Sequence, residues 1–207
     1  MKARAAALLC ALCLCACATP PPPPAVDLAS LTCPTTPKLG DAAPLAFDPQ
    51  KPKETIAILD GHAGCMDDGH GGRSLYRVFT LPHTGAPYLL LLSAPPWGST
   101  LLAPQAIFLN DAGAVKRQSN RTDFIFRGDA LSAALRSHPD ETYLIVASDP
   151  AALGQAVARI DQSFSGQMYS AGTAFVNVYT GLDVTKNLVL TPAGTLTITT
   201  APLEGQK

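Results

Sequence analysis

The sequence has little charge and no run of basic residues. Only 15% of its residues are charged, with 15 Lys and Arg against 16 Asp and Glu and a formal net charge of -1. A protein that binds nucleic acid usually carries a clustered basic surface that contacts the phosphates. The composition therefore argues against a nucleic acid partner.

A hydrophobic run long enough to span a membrane as a helix is also missing. The N-terminal apolar stretch, from Ala5 to Ala16, is shorter than the about 20 residues that such a helix needs. It follows the basic residues Lys2 and Arg4 and ends in small residues. This arrangement is typical of a secretory signal peptide, which we assign to residues 1–16.

The end of this leader, Leu14-Cys15-Ala16-Cys17, resembles the lipobox of bacterial lipoproteins. In those proteins the cysteine thiol receives diacylglycerol, the leader is cut before the cysteine, and the new amine then receives a fatty acid such as palmitate. The resemblance implies that Cys17 is the lipid-bearing first residue of the mature chain. Ala18 after it, rather than Asp, resembles the sorting pattern of enteric lipoproteins and implies the outer membrane, with the protein facing the periplasm. The alternative is a plain signal peptide with a cysteine-rich apolar region and no lipid.

Five consecutive prolines, Pro20–Pro24, follow the leader. Proline has no backbone N–H and a fixed φ, so this run excludes helix and strand and favours an extended polyproline II conformation. Five such residues at about 3 Å each give a spacer of about 15 Å. We assign residues 17–32 to the lipidated cysteine and a Pro-rich tether, and residues 33–207 to a single domain.

Cysteine is scarce after the leader, because only Cys33 and Cys65 follow Cys17. Export places these two thiols in a compartment where disulfides persist. We predict that they form a disulfide, which would pin a Pro-rich segment to a glycine-rich loop. The alternative is that Cys65 is a free thiolate that serves a cluster with His62 and His70.

Regular alternation of strands and helices is absent, which argues against a Rossmann-like sheet. Short strand patterns recur instead between prolines and glycines. They are TIAIL (Thr55–Leu59), SLYRVFTLP (Ser74–Pro82), PYLLLLS (Pro87–Ser93), QAIFLN (Gln105–Asn110), DFIFR (Asp123–Arg127) and ETYLIVAS (Glu141–Ser148). This pattern predicts a mainly β fold, specifically a β-sandwich.

One late helix is predicted after the last of these strands. Asp149 is suited to the N-cap and Pro150 to the first helical position. Apolar residues then recur at helical spacing, at Leu153, Val157, Ile160 and Phe164.

A C-terminal hairpin is predicted from two strand patterns joined by TPAG. The first is NLVL (Asn187–Leu190) and the second is TLTITT (Thr195–Thr200). The alternation in the second pattern places Leu196 and Ile198 on one face.

The order of these segments resembles the maltose-operon periplasmic protein family. The likeness covers roughly residues 54–200 and rests on GGRSLYRVFTLP, YLLLLS, LLAPQAIFLNDAG, ETYLIVASDPAALG and the final AGTLTIT. The resemblance implies an exported accessory protein linked to saccharide uptake. It implies no reaction and supplies no functional residues to carry over.

The densest polar cluster in the sequence contains His62, Cys65, Asp67, Asp68 and His70. A zinc site of this kind usually shows Cys-x-x-Cys or His-x-x-x-His spacing, and neither is present. We therefore expect a solvated loop, and we expect neither a metal nor a cofactor.

Motifs of catalysis are missing as well. His70-Gly71-Gly72 is similar to the oxyanion loop of esterases, but no Gly-x-Ser-x-Gly accompanies it. Sequence spacing does not exclude a pair of carboxylates that would hydrolyse a glycosidic bond. Asp67 and Asp68 are the adjacent acidic residues of the polar cluster. We expect no catalytic residue.

The single tryptophan, Trp97 in APPWGS, is the candidate for ligand binding. An exposed indole ring could stack on a sugar. The alternative is a loop anchor packed against the edge of the core. Tyr76, Tyr88 and Tyr143 lie in strand patterns and are expected in the core.

Together these features predict a lipid-anchored, non-catalytic accessory protein of the bacterial envelope, linked to transport or binding of a maltodextrin-type carbohydrate. The expected partners are the membrane, a saccharide, and envelope or transporter proteins. Two alternatives remain open. One is a hydrolase of envelope glycans, and the other is a purely structural envelope lipoprotein.

Overall fold

Strands are the main element of the fold, and along them buried apolar side chains alternate with more exposed ones. A computed structural model describes residues 26–171 and 174–203. Within these residues the regular elements are strands and short 3-10 turns, and no helix is long and apolar enough to cross a bilayer. The strands are β1 (Ala43–Pro44), β2 (Lys53–Leu59), β3 (Gly64–Asp67), β4 (Arg73–Thr80), β5 (Tyr88–Ala94), β6 (Thr100–Leu102), β7 (Pro104–Leu109), β8 (Val115–Gln118), β9 (Ile125–Arg127), β10 (Ala130–Arg136), β11 (Tyr143–Ser148), β12 (Ala156–Ala171), β13 (Ala174–Thr191) and β14 (Gly194–Pro202).

These strands form two large sheets and one small sheet. The first sheet has the order β1-β4-β11-β7-β8, with β3 also paired to β4, and the second has the order β2-β14-β5-β10-β9. The third sheet has the order β12-β13-β6. Paired strands are antiparallel except in the pairs β1–β4 and β6–β13. The predicted mainly β fold is therefore confirmed.

The first two sheets pack face to face and enclose the main hydrophobic core, as in a sandwich. On β5 the side chains of Tyr88, Leu90 and Leu92 are buried, and the residues between them are half-buried. Residues of β2, β4, β6, β7, β10, β11, β13 and β14 also belong to the core. Each fully buried leucine contributes about 1.5–3 kcal/mol, so this layer supplies most of the stabilisation.

The predicted late helix is wrong. Asp149 does cap a turn, since its carboxylate accepts a backbone N–H at 3.0 Å, but the turn is a 3-10 turn of three residues, Pro150–Ala152. Gly154 follows with a φ of 75°, a left-handed conformation that ends the turn. The chain then enters β12, which pairs with β13 over its whole length. This long-range pairing outweighs a helical spacing that is weakened by β-branched Val157 and Ile160.

The predicted C-terminal hairpin is also wrong, although both of its strands exist. In the part of the chain that the structure describes, β13 and β14 do not pair, because β14 lies between β2 and β5 in the second sheet. At the turn, a Cβ added to Gly194 would lie 2.9 Å from the Cβ of Leu102 on β6. The chain therefore crosses closely over β6 into another sheet. The predicted common face of Leu196 and Ile198 is confirmed, since both are fully buried.

The predicted disulfide between Cys33 and Cys65 is confirmed, and its two Cα atoms are 5.1 Å apart. The alternative of a free thiolate at Cys65 is therefore wrong. Cys65 lies on β3, so the glycine-rich stretch is not entirely a loop. A Cβ added to Gly64 would lie 2.7 Å from Cζ of Tyr76, so glycine lets β3 lie against the tyrosine ring.

The residues just before Cys33 also contact the sandwich. The guanidinium of Arg73 donates hydrogen bonds to the carbonyl oxygens of Leu28 at 3.0 Å and Ala29 at 2.8 Å. Apolar side chains of the same segment pack against the main core. The described part of the predicted tether, residues 26–32, thus lies against the body. The signal peptide, Cys17 and the proline run lie outside the described residues.

β12 and β13 together form a long two-stranded structure, which we call the ribbon. At its base, Leu188 and Leu190 of β13 are buried in the main core, and two further contacts connect the ribbon to the body. β6 pairs with Val189–Thr191 of β13. Arg159 of β12 donates a hydrogen bond to the carbonyl oxygen of Asp129 at 2.9 Å.

Candidate functional site

The first sheet is apolar on both of its faces. The side chains that alternate with its core residues form a second buried cluster on the outer face, composed of Tyr76, Val78, Leu109, Ile145 and Ala147. Residues 34–44 run over this face, and Leu39 packs against the cluster. The Tyr76 hydroxyl accepts the backbone N–H of Lys38 at 2.8 Å. The disulfide at Cys33 therefore fixes a segment that covers part of the outer face.

A groove of about 600 Å³ lies on this outer face beside the covering segment, and we call it the outer groove. Thr35, Thr36 and Pro37 of the segment line it. Its apolar lining comes from Met66, Ile107, Leu109, Val115 and Ile145. Its main polar groups are the carboxylates of Asp67, Asp68 and Asp149 and the carboxamides of Gln105 and Gln118.

The three carboxylates of the outer groove hold the local backbone. Asp67 accepts a backbone N–H of the β3–β4 loop at 2.8 Å, and Asp149 caps the 3-10 turn that follows β11. Asp68 accepts the N–H of His70 at 2.8 Å and that of Gly72 at 2.9 Å. These hydrogen bonds, with that of His70 the strongest, lower the pKa of Asp68. An acid that stays ionised in this way is poorly suited to donate a proton.

The two carboxamides of the outer groove differ from the carboxylates. Gln105 lies on β7 and Gln118 on its neighbour β8. Within residues 26–171 and 174–203, neither side-chain amide is hydrogen-bonded to another residue. Each amide provides two N–H donors and one carbonyl acceptor. The groove thus presents open hydrogen-bonding groups next to apolar side chains.

A smaller cavity of about 390 Å³ lies next to the disulfide. His62, Lys38, Asp41 and Arg77 are among the residues that line it. Arg77 of β4 already has a partner on β2, since its Nε donates to the carbonyl oxygen of Ile58 at 3.1 Å. Because the outer groove is larger and more apolar, we take the outer groove as the candidate functional site.

The structure separates the residues of the polar cluster found in the sequence. Asp67 and Asp68 line the outer groove, His62 lines the smaller cavity, and Cys65 is bonded to Cys33. Among the described residues, no three side chains of His, Cys, Asp or Glu are close enough to hold one metal ion. The Asp68 carboxylate instead organises the tight β3–β4 loop.

Trp97 lies away from the outer groove, in the turn that leads from β5 to β6. Its backbone N–H donates to Thr100 at 2.8 Å, and its carbonyl oxygen accepts the Thr100 N–H at 3.0 Å. Gly98 in this turn has a φ of 61°, which explains a glycine there. The Trp97 side chain is 41% exposed. The residue proposed for sugar stacking is thus accessible, and it does not line the outer groove.

The outer groove is the feature that the sequence patterns missed. Ile107 and Ile145 lie in strands that were predicted, but their side chains face away from the main core. Both QAIFLN and ETYLIVAS are apolar in both phases of the strand alternation, which indicates a strand covered on both faces. That signal predicts a cover, although it does not identify the covering segment.

Comparisons with known proteins add no assignment to this geometry. No protein-family model, no curated protein and no solved structure matches the chain. The likeness to the maltose-operon periplasmic family therefore stays a prediction from the sequence motifs.

Proposed function

We propose that this chain is an exported, lipid-anchored accessory protein of the bacterial envelope that binds a saccharide and catalyses no reaction. The proposal joins the signal peptide and lipobox pattern at Cys17 with the family resemblance and the outer groove. The outer groove is the observation that carries it, because a binding protein needs a concave surface with open polar groups.

The chemistry of the outer groove suits a neutral, hydroxyl-rich ligand. A sugar presents C–H faces and hydroxyl groups in alternation, and the groove offers apolar side chains next to the carboxamides of Gln105 and Gln118. A carboxamide can donate to one hydroxyl and accept from another. Uncharged ligands also avoid the cost of bringing an anion near Asp67 and Asp149.

Binding without catalysis is favoured by how the carboxylates are used. Glycoside hydrolysis needs a carboxylic acid that keeps its proton near neutral pH, opposite a second carboxylate. The pKa of Asp68 is lowered instead, by backbone hydrogen bonds from the loop. Asp149 is engaged as the cap of a turn. These roles support a binding protein over the alternative of a glycan hydrolase.

The proposed anchor would keep the outer groove close to a membrane. The chain between Cys17 and the first residue packed on the body, Val26, is short. Eight extended residues at about 3 Å each span about 25 Å. If Cys17 carries lipid, Cys17→Ser should abolish palmitate labelling and release the protein from membranes. Labelling that persists in this variant would reject the anchor.

The saccharide proposal is tested with the full-length chain extracted in detergent. A glycan array identifies the ligand class, and calorimetric titration with maltodextrin measures the affinity. The double variant Gln105→Ala/Gln118→Ala should bind about tenfold more weakly, because about 1.4 kcal/mol of hydrogen bonding is lost. Gln50→Ala, in an exposed loop away from the groove, is the matched control and should bind normally.

Three other results would each change the proposal. Absence of binding to every glycan would reject the saccharide and leave a structural envelope lipoprotein. Release of shorter sugars from the array would instead favour the hydrolase. Loss of binding in Trp97→Ala, with normal binding in the double variant, would move the site to the β5–β6 turn.

A further inference from the structure

Beyond its base, where Leu188 and Leu190 join the main core, the ribbon is the part of the molecule that neither the sandwich nor the outer groove uses. Its strands pair from Ala156 opposite Val189 to Ala171 opposite Ala174, in one continuous register. Only the base, at Val189–Thr191, gains a further partner, in β6. At about 3.3 Å per residue the rest of the ladder extends about 45 Å.

Both long edges of the ribbon are open. In the described part of the chain, β12 pairs only with β13, and β13 pairs only with β12 before Val189. Every second residue of such an edge leaves its N–H and C=O without a strand partner, which makes the edge a template for another strand. A two-stranded structure without a third strand or a second layer is only marginally stable in water.

The edges also lack the devices that usually prevent pairing with another chain. Edge strands are commonly protected by lysine, proline or a bulge. From Gln162 to Leu182 the sequence has no charged residue and no proline, and the strand register has no bulge. Met168 in this stretch is 68% exposed. The distal ribbon is therefore suited to edge pairing.

Charge is confined to the base of the ribbon, where it is neutralised internally. The Asp161 carboxylate lies 2.5 Å from Nε of Arg159 and 2.7 Å from Nζ of Lys186. Toward the tip, Asp183 opposite Gln162 is the last charged residue, and Ser163–Leu182 carries no charge that would oppose close approach of a second ribbon. An equally uncharged partner strand fits here, and a strongly charged one does not.

We propose that the ribbon is an assembly arm, in which the β12 edge of one copy pairs antiparallel with the β13 edge of the next copy. The two open edges are nearly equal in length and lie on opposite sides of the same ribbon, so each copy supplies both halves of the contact. Antiparallel pairing points all ribbons in one direction. That orientation is compatible with copies anchored to one membrane.

The size of the contact predicts how many copies associate. An edge about 45 Å long and about 10 Å high buries about 450 Å² per partner. Stable interfaces bury about 800 Å² per partner. A pair joined by one shared edge should therefore be weak, and a copy held at both edges buries about 900 Å² in total over two such contacts. The contact is head-to-tail, so it builds a ring or a row rather than a closed dimer.

The first test shortens the ribbon. Replacing Ser163–Leu182 by Asn-Gly leaves Gln162 and Asp183 as the closing pair of a two-residue turn. In detergent, sedimentation of the full chain should give an assembly of three or more copies, and the shortened variant should give single copies. Retention of the disulfide and of the thermal transition shows that its body is folded. A full chain that sediments as a single copy would overturn the proposal.

The second test keeps the ribbon and maps the contact. A photo-crosslinking residue at Ser165 of β12, in a mixture of isotopically light and heavy protein, should give mixed adducts with β13 peptides. Ser165→Lys should reduce both the adducts and the assembly by about tenfold, since a lysine opposes edge pairing. Ile56→Lys is the matched control on β2, the exposed edge of the second sheet. Adducts with other proteins alone, or assembly lost only in Ile56→Lys, would contradict the proposal.

Discussion

The sandwich and the ribbon are built from the same kind of strand, but they are stabilised in different ways. In the sandwich, each central strand lies between two others and buries at least one face, as Leu90 and Leu92 show on β5. In the ribbon, a ladder of sixteen pairs gains a further strand among the described residues only at its base, and Ile160 is 63% exposed. The difference shows that ladder length alone does not make a stable element, because backbone hydrogen bonds contribute little net free energy without apolar burial.

The largest expected effect comes from a cavity in the sandwich. Phe108 of β7 is fully buried, and the Arg117 guanidinium lies 3.7 Å above its ring. Phe108→Ala should lower the free energy of unfolding by about 3–5 kcal/mol. Ile160→Ala in the ribbon should change it by less than about 0.5 kcal/mol. Urea denaturation of both variants measures the difference, and equal losses would break the comparison.

The next largest effect distinguishes the stability of the covering segment, residues 34–44, from that of the sandwich beneath it. Removing the disulfide with Cys33→Ala/Cys65→Ala should lower the free energy of unfolding by about 3–4 kcal/mol. The reason is that the bond links two residues 32 positions apart and so restricts the unfolded chain. Amide exchange should accelerate in residues 34–44 and stay slow in β5. Uniform acceleration throughout the sandwich would show that the segment is part of one cooperative unit with the core.

A smaller effect concerns the buried ion pair of the sandwich. Glu141 has 2% of its side chain exposed and accepts two hydrogen bonds from Arg117, at 2.5 and 3.1 Å. It also accepts the backbone N–H of His138 at 2.9 Å. Glu141→Gln should cost about 1.5–3 kcal/mol, because charge-assisted hydrogen bonds are lost. The thermal transition measures this loss, and an unchanged midpoint would contradict the assigned role.

The smallest effect is on the exposed ion cluster of the ribbon, and it depends on pH. The pKa of Asp161 is lowered from its usual 3.8 by the hydrogen bond from Lys186 and by Arg159. A group whose pKa is lower in the folded state stabilises the fold at pH values above its unfolded pKa. This stabilisation is lost as the pH falls through the folded pKa. Amide exchange at the ribbon base should therefore gain protection from the cluster at pH 5 and lose it toward pH 2. Asp161→Asn should remove that pH dependence, and a variant that retains it would refute the assignment.

Much of the sandwich could be predicted from local sequence. TIAIL, SLYRVFTLP, QAIFLN and ETYLIVAS become β2, β4, β7 and β11, because strand alternation and proline boundaries are local signals. The disulfide followed from the two cysteines that remain once the leader and the lipid-bearing Cys17 are set aside. These features depend on composition and short spacing, so the sequence carries them directly.

The ribbon and the outer groove depend on long-range contacts, and local patterns therefore missed them. Val157 and Ile160 fit a helical face, and only the partner strand β13 makes them part of β12. Leu39 lies in a weakly patterned segment, and the disulfide and Tyr76 bring it onto the outer face. In both cases the deciding partner lies more than twenty residues away along the chain.

The position of Cys33 has a mechanical consequence. A pull on the N-terminal end of the chain first loads residues 26–32, which Arg73 holds through two carbonyl oxygens. Those hydrogen bonds can break one at a time, but the detachment of the chain stops at the Cys33–Cys65 disulfide. Beyond Cys33 the force passes through Cys65 into β3 and so into its neighbour β4. Tension is thereby diverted from residues 34–44, and the part of the groove wall formed by Thr35, Thr36 and Pro37 carries no load while the linker is stretched.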